Sequence, residues 1–239
     1  MYYNYPVRQR RRHPLLRIII VLLILGGIAF FAYRSQMDTV ITVGEHPTII
    51  IEDCSGYVHV HAGPANNEVI LQGPWTLFTP YSQDKASNTV NINGCDLNIS
   101  VPANTDVKID ADAIDVLGVS GQMSLTTNGG SITLLHDTLQ GQSTLDNNGG
   151  PIRYSGSLDP RGTSKFSSNG GLLDITLTGN PSFHVDVTGI LNTITTDFPS
   201  IHVQSEEVHS NVGQPPYATL SLQVNDSPIV LHKGSQESA

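Results

Sequence analysis

The 239-residue chain carries 22 Gly, a single Trp and only 14% charged residues, a composition that favours strands and turns and leaves room for one sizeable domain plus an extension. Its net charge of −9 hides an asymmetry: Arg8, Arg10, Arg11, Arg12, Arg17 and Arg34 are half of the 12 basic residues and precede Met37, while all 21 acidic residues follow it. With 6 basic residues against 21 acidic ones from Asp38 onward, that part is excluded as a nucleic-acid binder, because phosphate contacts need clustered Lys and Arg.

Residues 1–14 form a short basic tail ending in Arg10-Arg11-Arg12-His13-Pro14. Beyond Leu15-Leu16-Arg17 come sixteen uncharged residues, Ile18 to Tyr33. Together, residues 15–34 reach about the twenty residues that a bilayer requires, with Arg17 snorkelling to the headgroups. Five arginines on the amino side against Arg34 on the other predict a cytoplasmic tail, a single transmembrane signal anchor over 15–34 and an extracytoplasmic body. A cleaved signal peptide is the competing reading. It needs small residues at the cleavage site, where Phe30, Phe31 and Tyr33 crowd Ala32.

Residues 35–44 read as a juxtamembrane linker and 45–233 as the folded body. The segment 49–60 alternates apolar and polar residues, and Glu68 to Gln72 is a further short strand. A Pro-bounded aromatic stretch from Pro74 to Tyr81 then breaks the pattern, as a hairpin or an insertion would. Val90 to Val101 is strand on both sides of Asn93-Gly94-Cys95. Val107, Ile109, Ala111 and Ala113 next take one face, with Lys108, Asp110 and Asp112 on the other.

The strongest signal lies at 121–175, where one pattern occurs three times. Gly121, Gly141 and Gly162 each precede an Asn by seven residues, and Asn128, Asn148 and Asn169 are spaced by 20 and 21. Each Asn is followed by two glycines: Gly129 and Gly130, Gly149 and Gly150, Gly170 and Gly171. Three sets of apolar residues recur in register: Leu125, Leu145 and Phe166; Ile132, Ile152 and Leu173; Leu134, Tyr154 and Ile175. A period near twenty with apolar residues in register predicts an all-β fold, a parallel β-helix-like β-solenoid whose coils stack these sets into columns about 4.8 Å apart. The Asn-Gly-Gly triplets are its corners, since Gly adopts positive φ freely and Asn tolerates it. Stacked Asn side chains can also hydrogen-bond along the column.

Weaker copies extend the template in both directions. Ile51, Cys54, Val58 and Val60 match Leu125, Asn128, Ile132 and Leu134 in spacing. Phe183 to Gly189 begins a further turn, and Leu222, Asn225, Ile229 and Leu231 recover the template near the end. That last copy reads as the carboxyl-terminal cap, with 234–239 a frayed tail.

Candidate chemistry is sparse. Cys54 and Cys95 fit no CxxC or zinc framework; they form one disulfide or remain two free thiols. Two coils apart, their Cα atoms would be about 9.6 Å from each other and could not bridge, whereas an excursion between them would make them neighbours. His59 and His61 share a strand face as a metal pair would, without a visible third ligand. Asp106, Asp110 and Asp112 suggest the acidic face of a polysaccharide-active β-helix, but only Arg153 and Arg161 are at hand to support such a site. A calcium corner would need the GGxGxD spacing, and only Asp146 is near. There is no GxSxG, HExxH or phosphate-binding glycine loop, so no catalytic, cofactor-binding or metal-binding residues are assigned and no cofactor is expected.

Cys54-Ser55-Gly56-Tyr57-Val58-His59-Val60, Leu97-Asn98-Ile99-Ser100-Val101-Pro102, the Asn-Gly-Gly-x-Ile repeats and Ile194-Thr195-Thr196-Asp197-Phe198-Pro199 resemble the bacterial putative adhesin domain, a domain of unknown function. The resemblance spans roughly 43–199. It implies a Gly-rich extracytoplasmic β-solenoid on a single membrane anchor, with a role in adhesion or envelope-stress signalling and no catalytic residues. The stretch after Gly189 departs from the family's usual Gly-containing turn. The expectation is a non-enzymatic surface protein of the cell membrane whose partner is a cell-wall polymer or an envelope protein. A sensory or regulatory subunit of an envelope-stress system is the alternative, and a polysaccharide-active enzyme the third.

Overall fold

The structure, a computed structural model, describes residues 22–27, 38–64, 66–72, 79–201 and 208–234. It is all-β: 66% of the described residues are strand and 3% helix. The first strands are β1 (Thr39–Thr42), β2 (Thr48–Ala62), β3 (Glu68–Gln72), β4 (Tyr81–Asp84), β5 (Thr89–Ile92) and β6 (Leu97–Val101). The middle ones are β7 (Asp106–Leu117), β8 (Ser120–Gly121), β9 (Met123–Thr127), β10 (Ile132–Leu139), β11 (Gln142–Asn148) and β12 (Ile152–Leu158). The last are β13 (Thr163–Asn169), β14 (Leu173–Leu177), β15 (Phe183–Thr196), β16 (Val208–Val212) and β17 (Ala218–Lys233).

Each period of the sequence forms one coil with a strand segment on each of two faces. On the first face the parallel order is β5, β2, β7, β9, β11, β13, β17 and β15, the long strands contributing their amino-terminal halves. On the second face it is β6, then the carboxyl-terminal halves of β2 and β7, then β10, β12 and β14, then those of β17 and β15. The coils therefore stack as 89–101, 48–62, 106–117, 123–139, 142–158, 163–177, 218–233 and 183–196.

Chain order and stacking order disagree at both ends. The coil 89–101 lies outside 48–62, so β3 and β4, which come between them in the chain, stand outside the parallel order of the stack. At the other end, 218–233 is wedged between 163–177 and 183–196 and is not the cap expected from the sequence. The template found the right positions within the coil, because Leu222 pairs with Phe166, Asn225 with Asn169, Ile229 with Leu173 and Leu231 with Ile175. Periodicity places a residue around a coil and is blind to which coil lies beside it.

The three apolar sets do stack. Leu145 pairs with Leu125 and Phe166, Ile152 with Ile132 and Leu173, and Tyr154 with Leu134 and Ile175. All nine side chains are at most 2% exposed and belong to one continuous core. No coil could bury its own apolar face, so each supplies half of its neighbour's core.

Strands that run antiparallel lie at the ends of this stack. β4 pairs with β5, β3 with β6 and β1 with β3 at one end; β16 pairs with β15 at the other. An antiparallel partner there covers a row of unpaired backbone groups that would otherwise template another chain. β1 falls inside the stretch 35–44 read as a linker and pairs there with β3. Of the expected membrane span 15–34 only 22–27 is described, as a six-residue helix. No helix among the described residues is long and apolar enough to cross a membrane. The rest of that span, the tail 1–14, the aromatic stretch 73–78 and residues 235–239 lie outside the described residues.

Candidate functional site

The Asn-Gly-Gly corners form a ladder. Asn148 Nδ2 donates to Asn128 Oδ1 at 3.1 Å, Asn169 Nδ2 to Asn148 Oδ1 at 2.7 Å, and Asn225 Nδ2 to Asn169 Oδ1 at 2.8 Å. The two glycines of each corner serve different ends. Gly129, Gly149 and Gly170 have φ of +97°, +112° and +82°, where a side chain is strained. Gly130, Gly150 and Gly171 instead lie against the preceding coil, where a Cβ would fall 1.6 to 1.8 Å from the carbonyl oxygens of Asp112, Gly130 and Gly150. Asn147, which the sequence does not flag, fastens one corner from inside. Its Nδ2 donates to Gly130 O at 2.7 Å and its Oδ1 accepts from Gly150 N at 3.0 Å.

Cys54 does not occupy the Asn column. A bulge at Glu52 and Asp53, with Asp53 at φ +55°, shifts the register so that Cys54 faces Ala111 and turns inward. Because 89–101 packs directly on 48–62, Cys54 and Cys95 are neighbours on adjacent coils and their thiols are in hydrogen-bond contact. Both thiols are free. Burial, reinforced by the Cys95 thiol, pushes the Cys54 thiol up to about 12, so it stays protonated at neutral pH.

On the outer face of the same coil, Tyr57 stacks on His59 and His59 lies beside His61, with ring centroids 6.3 and 5.5 Å apart. Burial and the neighbouring His59 hold His61 below its usual range. The Tyr57 hydroxyl donates to Asp115 Oδ2 at 2.5 Å; burial and this hydrogen bond push its pKa up to about 12. The acidic face is spread out by comparison. Asp106 Oδ1 is held by His46 Nε2 at 3.0 Å and by Gln122 N at 2.7 Å, Lys108 pairs with Glu52 at 2.5 Å, and Asp110 and Asp112 are exposed.

A cleft of about 280 Å³ opens beside His136, Asp137, Gly156, Ser157 and Thr178. Asp137 is buried at a bulge in β10. Its Oδ1 accepts from Val119 N at 2.6 Å, whereas Oδ2 has no hydrogen-bond partner among the described residues. Burial pushes this carboxyl up to about 7. The buried Tyr154 hydroxyl lies against the carbonyl oxygens of Ser157 at 2.5 Å and Asp137 at 3.2 Å. Among the described residues that line this cleft, Asp137 is the one carboxyl.

A fourth cluster, not anticipated from the sequence, sits on β15 and β16. His184, Asp186 and His209 each place a ligand atom within 4.8 Å of the other two. His184 and Asp186 are two apart on a strand and could have been read as sharing a face. His209 joins them only through the antiparallel pairing of β16, which periodicity does not reveal.

No family model matches the chain, and no curated protein matches it significantly. Among solved structures, a putative cell adhesion protein from Clostridium sporogenes is similar over 83% of this chain and 99% of its own, with a TM-score of 0.48 and 8% identity. That distant likeness carries no residue roles across.

Proposed function

We propose that this chain is a non-enzymatic, membrane-anchored β-solenoid that stands outside the cell membrane and uses its flat faces to hold a cell-wall polymer or an envelope protein, as an adhesin does. One observation carries this reading: the outward side chains form straight polar rows across successive coils. Lys108, Ser124, Thr144, Lys165, Ser221 and Asp186 follow one another in register on the first face. Asp115, Thr133, Arg153 and Asp174 do so on the second. Rows of hydroxyls and alternating charges spaced by about 4.8 Å suit an extended partner lying along the axis. The basic tail and apolar run before Met37 support the anchor and its orientation.

Full-length protein in detergent, tested on a glycan array and by crosslinking in membranes, separates the alternatives. Saturable glycan binding lost on Lys165→Glu supports adhesion through this face. A stoichiometric membrane-protein partner without glycan binding would favour the regulatory reading, and release of new reducing or unsaturated ends from a polysaccharide would refute the non-enzymatic one. A reporter fused after Ala239 and active only in the cytoplasm would overturn the orientation. In an oxidising compartment the adjacent Cys54 and Cys95 pair, and the intact unreduced chain is then two hydrogens lighter than the reduced one.

A further inference from the structure

β15 and β16 form the antiparallel pair that ends the stack. Alternation buries Phe183, Val185 and Val187 and turns His184 and Asp186 outward. Across the ladder Asn211 faces His184 and His209 faces Asp186, so four polar side chains form a two-by-two block on one surface.

The hydrogen bonds in this block leave an uncompensated point. Asn211 Oδ1 accepts from His184 Nδ1 at 2.7 Å, which fixes that ring's proton on Nδ1 and turns the Nε2 lone pair toward Asp186 Oδ1, 3.2 Å away. A lone pair facing a carboxylate oxygen is unfavourable unless positive charge lies between them or on the ring. His209 Nδ1 donates to the same carboxylate oxygen from the opposite strand, and that proton is the one a metal ion would displace. The His184–Asp186 separation of 3.2 Å is close to the edge of a tetrahedron with metal–ligand bonds of about 2.0 Å, and the closer His209–Asp186 pair would open to that edge on binding.

We propose that His184, Asp186 and His209 bind a divalent transition-metal ion, with zinc the best match, and that Asn211 holds His184 in the ligating tautomer. Two imidazoles and one carboxylate form a donor set for zinc and its neighbours, whereas calcium and magnesium require oxygen donors. The hydrogen bond from His184 to Asn211 is the outer support that ligating histidines commonly have. The side chains of His184 and His209 are 40% and 58% exposed, so the fourth coordination position faces solvent and takes water or a donor from a bound partner. Bound metal clamps β16 onto the end of the stack.

The test is equilibrium dialysis of tag-free full-length protein against ZnCl2, with elemental analysis and a thermal melt with and without EDTA. One zinc per chain and a melting temperature that falls on chelation are expected. Asp186→Asn and the double substitution His184→Ala/His209→Ala should abolish zinc binding, while their melts in EDTA report whether they fold. Asn211→Ala should weaken binding by about 10- to 100-fold. Cobalt should give the intense visible absorption of a four-coordinate site, and excess calcium should not displace it. Absence of bound zinc in the wild type, unchanged binding in the folded double variant, or loss of zinc on His59→Ala/His61→Ala instead would each overturn the assignment.

Discussion

Coils 142–158 and 163–177 are neighbours in both chain and stack, whereas coil 218–233 enters the stack out of turn, between 163–177 and 183–196. The two regions close their corners differently. In the regular coils, Gly150 and Gly171 let one backbone lie against the last without a side chain between them. In the inserted coil, Asp226 and Ser227 stand at the corresponding places, with Asp226 at φ +54°. Here Ser227 is fully buried, accepts from Gly170 N at 3.0 Å and donates to Ser168 O at 3.1 Å. The corner thus has two solutions, one built on close backbone approach and one on a buried hydroxyl. Only the first is written as a repeated motif.

Substitutions can break this contrast. The largest effect is expected from Leu145→Asp, which puts an unpaired carboxylate in the middle of a column at a cost of several kcal/mol or more. The same change at Ile194, only partly buried in the terminal coil, should be far milder. Circular dichroism and expression level of the two variants decide, and a wild-type melt for Leu145→Asp would refute the column.

Next comes Gly150→Ala. Its Cβ would lie 1.7 Å from Gly130 O and has to push two coils apart, with a loss of about 3 kcal/mol. Ser227→Ala keeps the Cβ and loses hydrogen bonds alone, about 1 to 2 kcal/mol. Urea midpoints of the two variants test the order.

Asp137 adds a dependence on pH. Its folded-state pKa, about 7, lies above the ordinary carboxyl value of 3.8, so the native protein binds the proton more tightly than the unfolded chain. Its stabilisation is full below pH 3.8 and is lost as pH rises through 7. Between pH 5 and pH 8 the loss amounts to about 2.5 kcal/mol, and Asp137→Asn should remove it. Urea melts of both proteins at the two pH values test this, and identical pH profiles would show that the carboxyl titrates normally. The smallest effect belongs to Asn148→Ala, which breaks two rungs of an exposed ladder and should cost about 1 kcal/mol by thermal melt.

Much of the β architecture is legible in the sequence because the core is one-dimensional. Leu125, Leu145 and Phe166 recur at the spacing of a coil, and a parallel register converts that spacing directly into contact. Spacing alone misplaces Cys54 by one column, since a bulge at Asp53 absorbs a residue without changing the distance to Val58. Stacking order is hidden for a different reason: Leu222 matches the template wherever its coil sits. The His184, Asp186 and His209 cluster depends on the antiparallel return of β16, and Val208-His209-Ser210-Asn211-Val212 announces only a strand with one buried face.

The position of coil 218–233 also sets a clock on biosynthesis. Within the described parallel ladders, β15 docks on the body only through β17, so on a growing chain residues 183–196 wait with β16 as their sole ladder partner until the carboxyl-terminal segment has emerged. Ending translation before Ala218 would therefore remove an interior storey and strand the one above it. Limited proteolysis of such a truncated chain should cut within 183–212 while sparing 106–177.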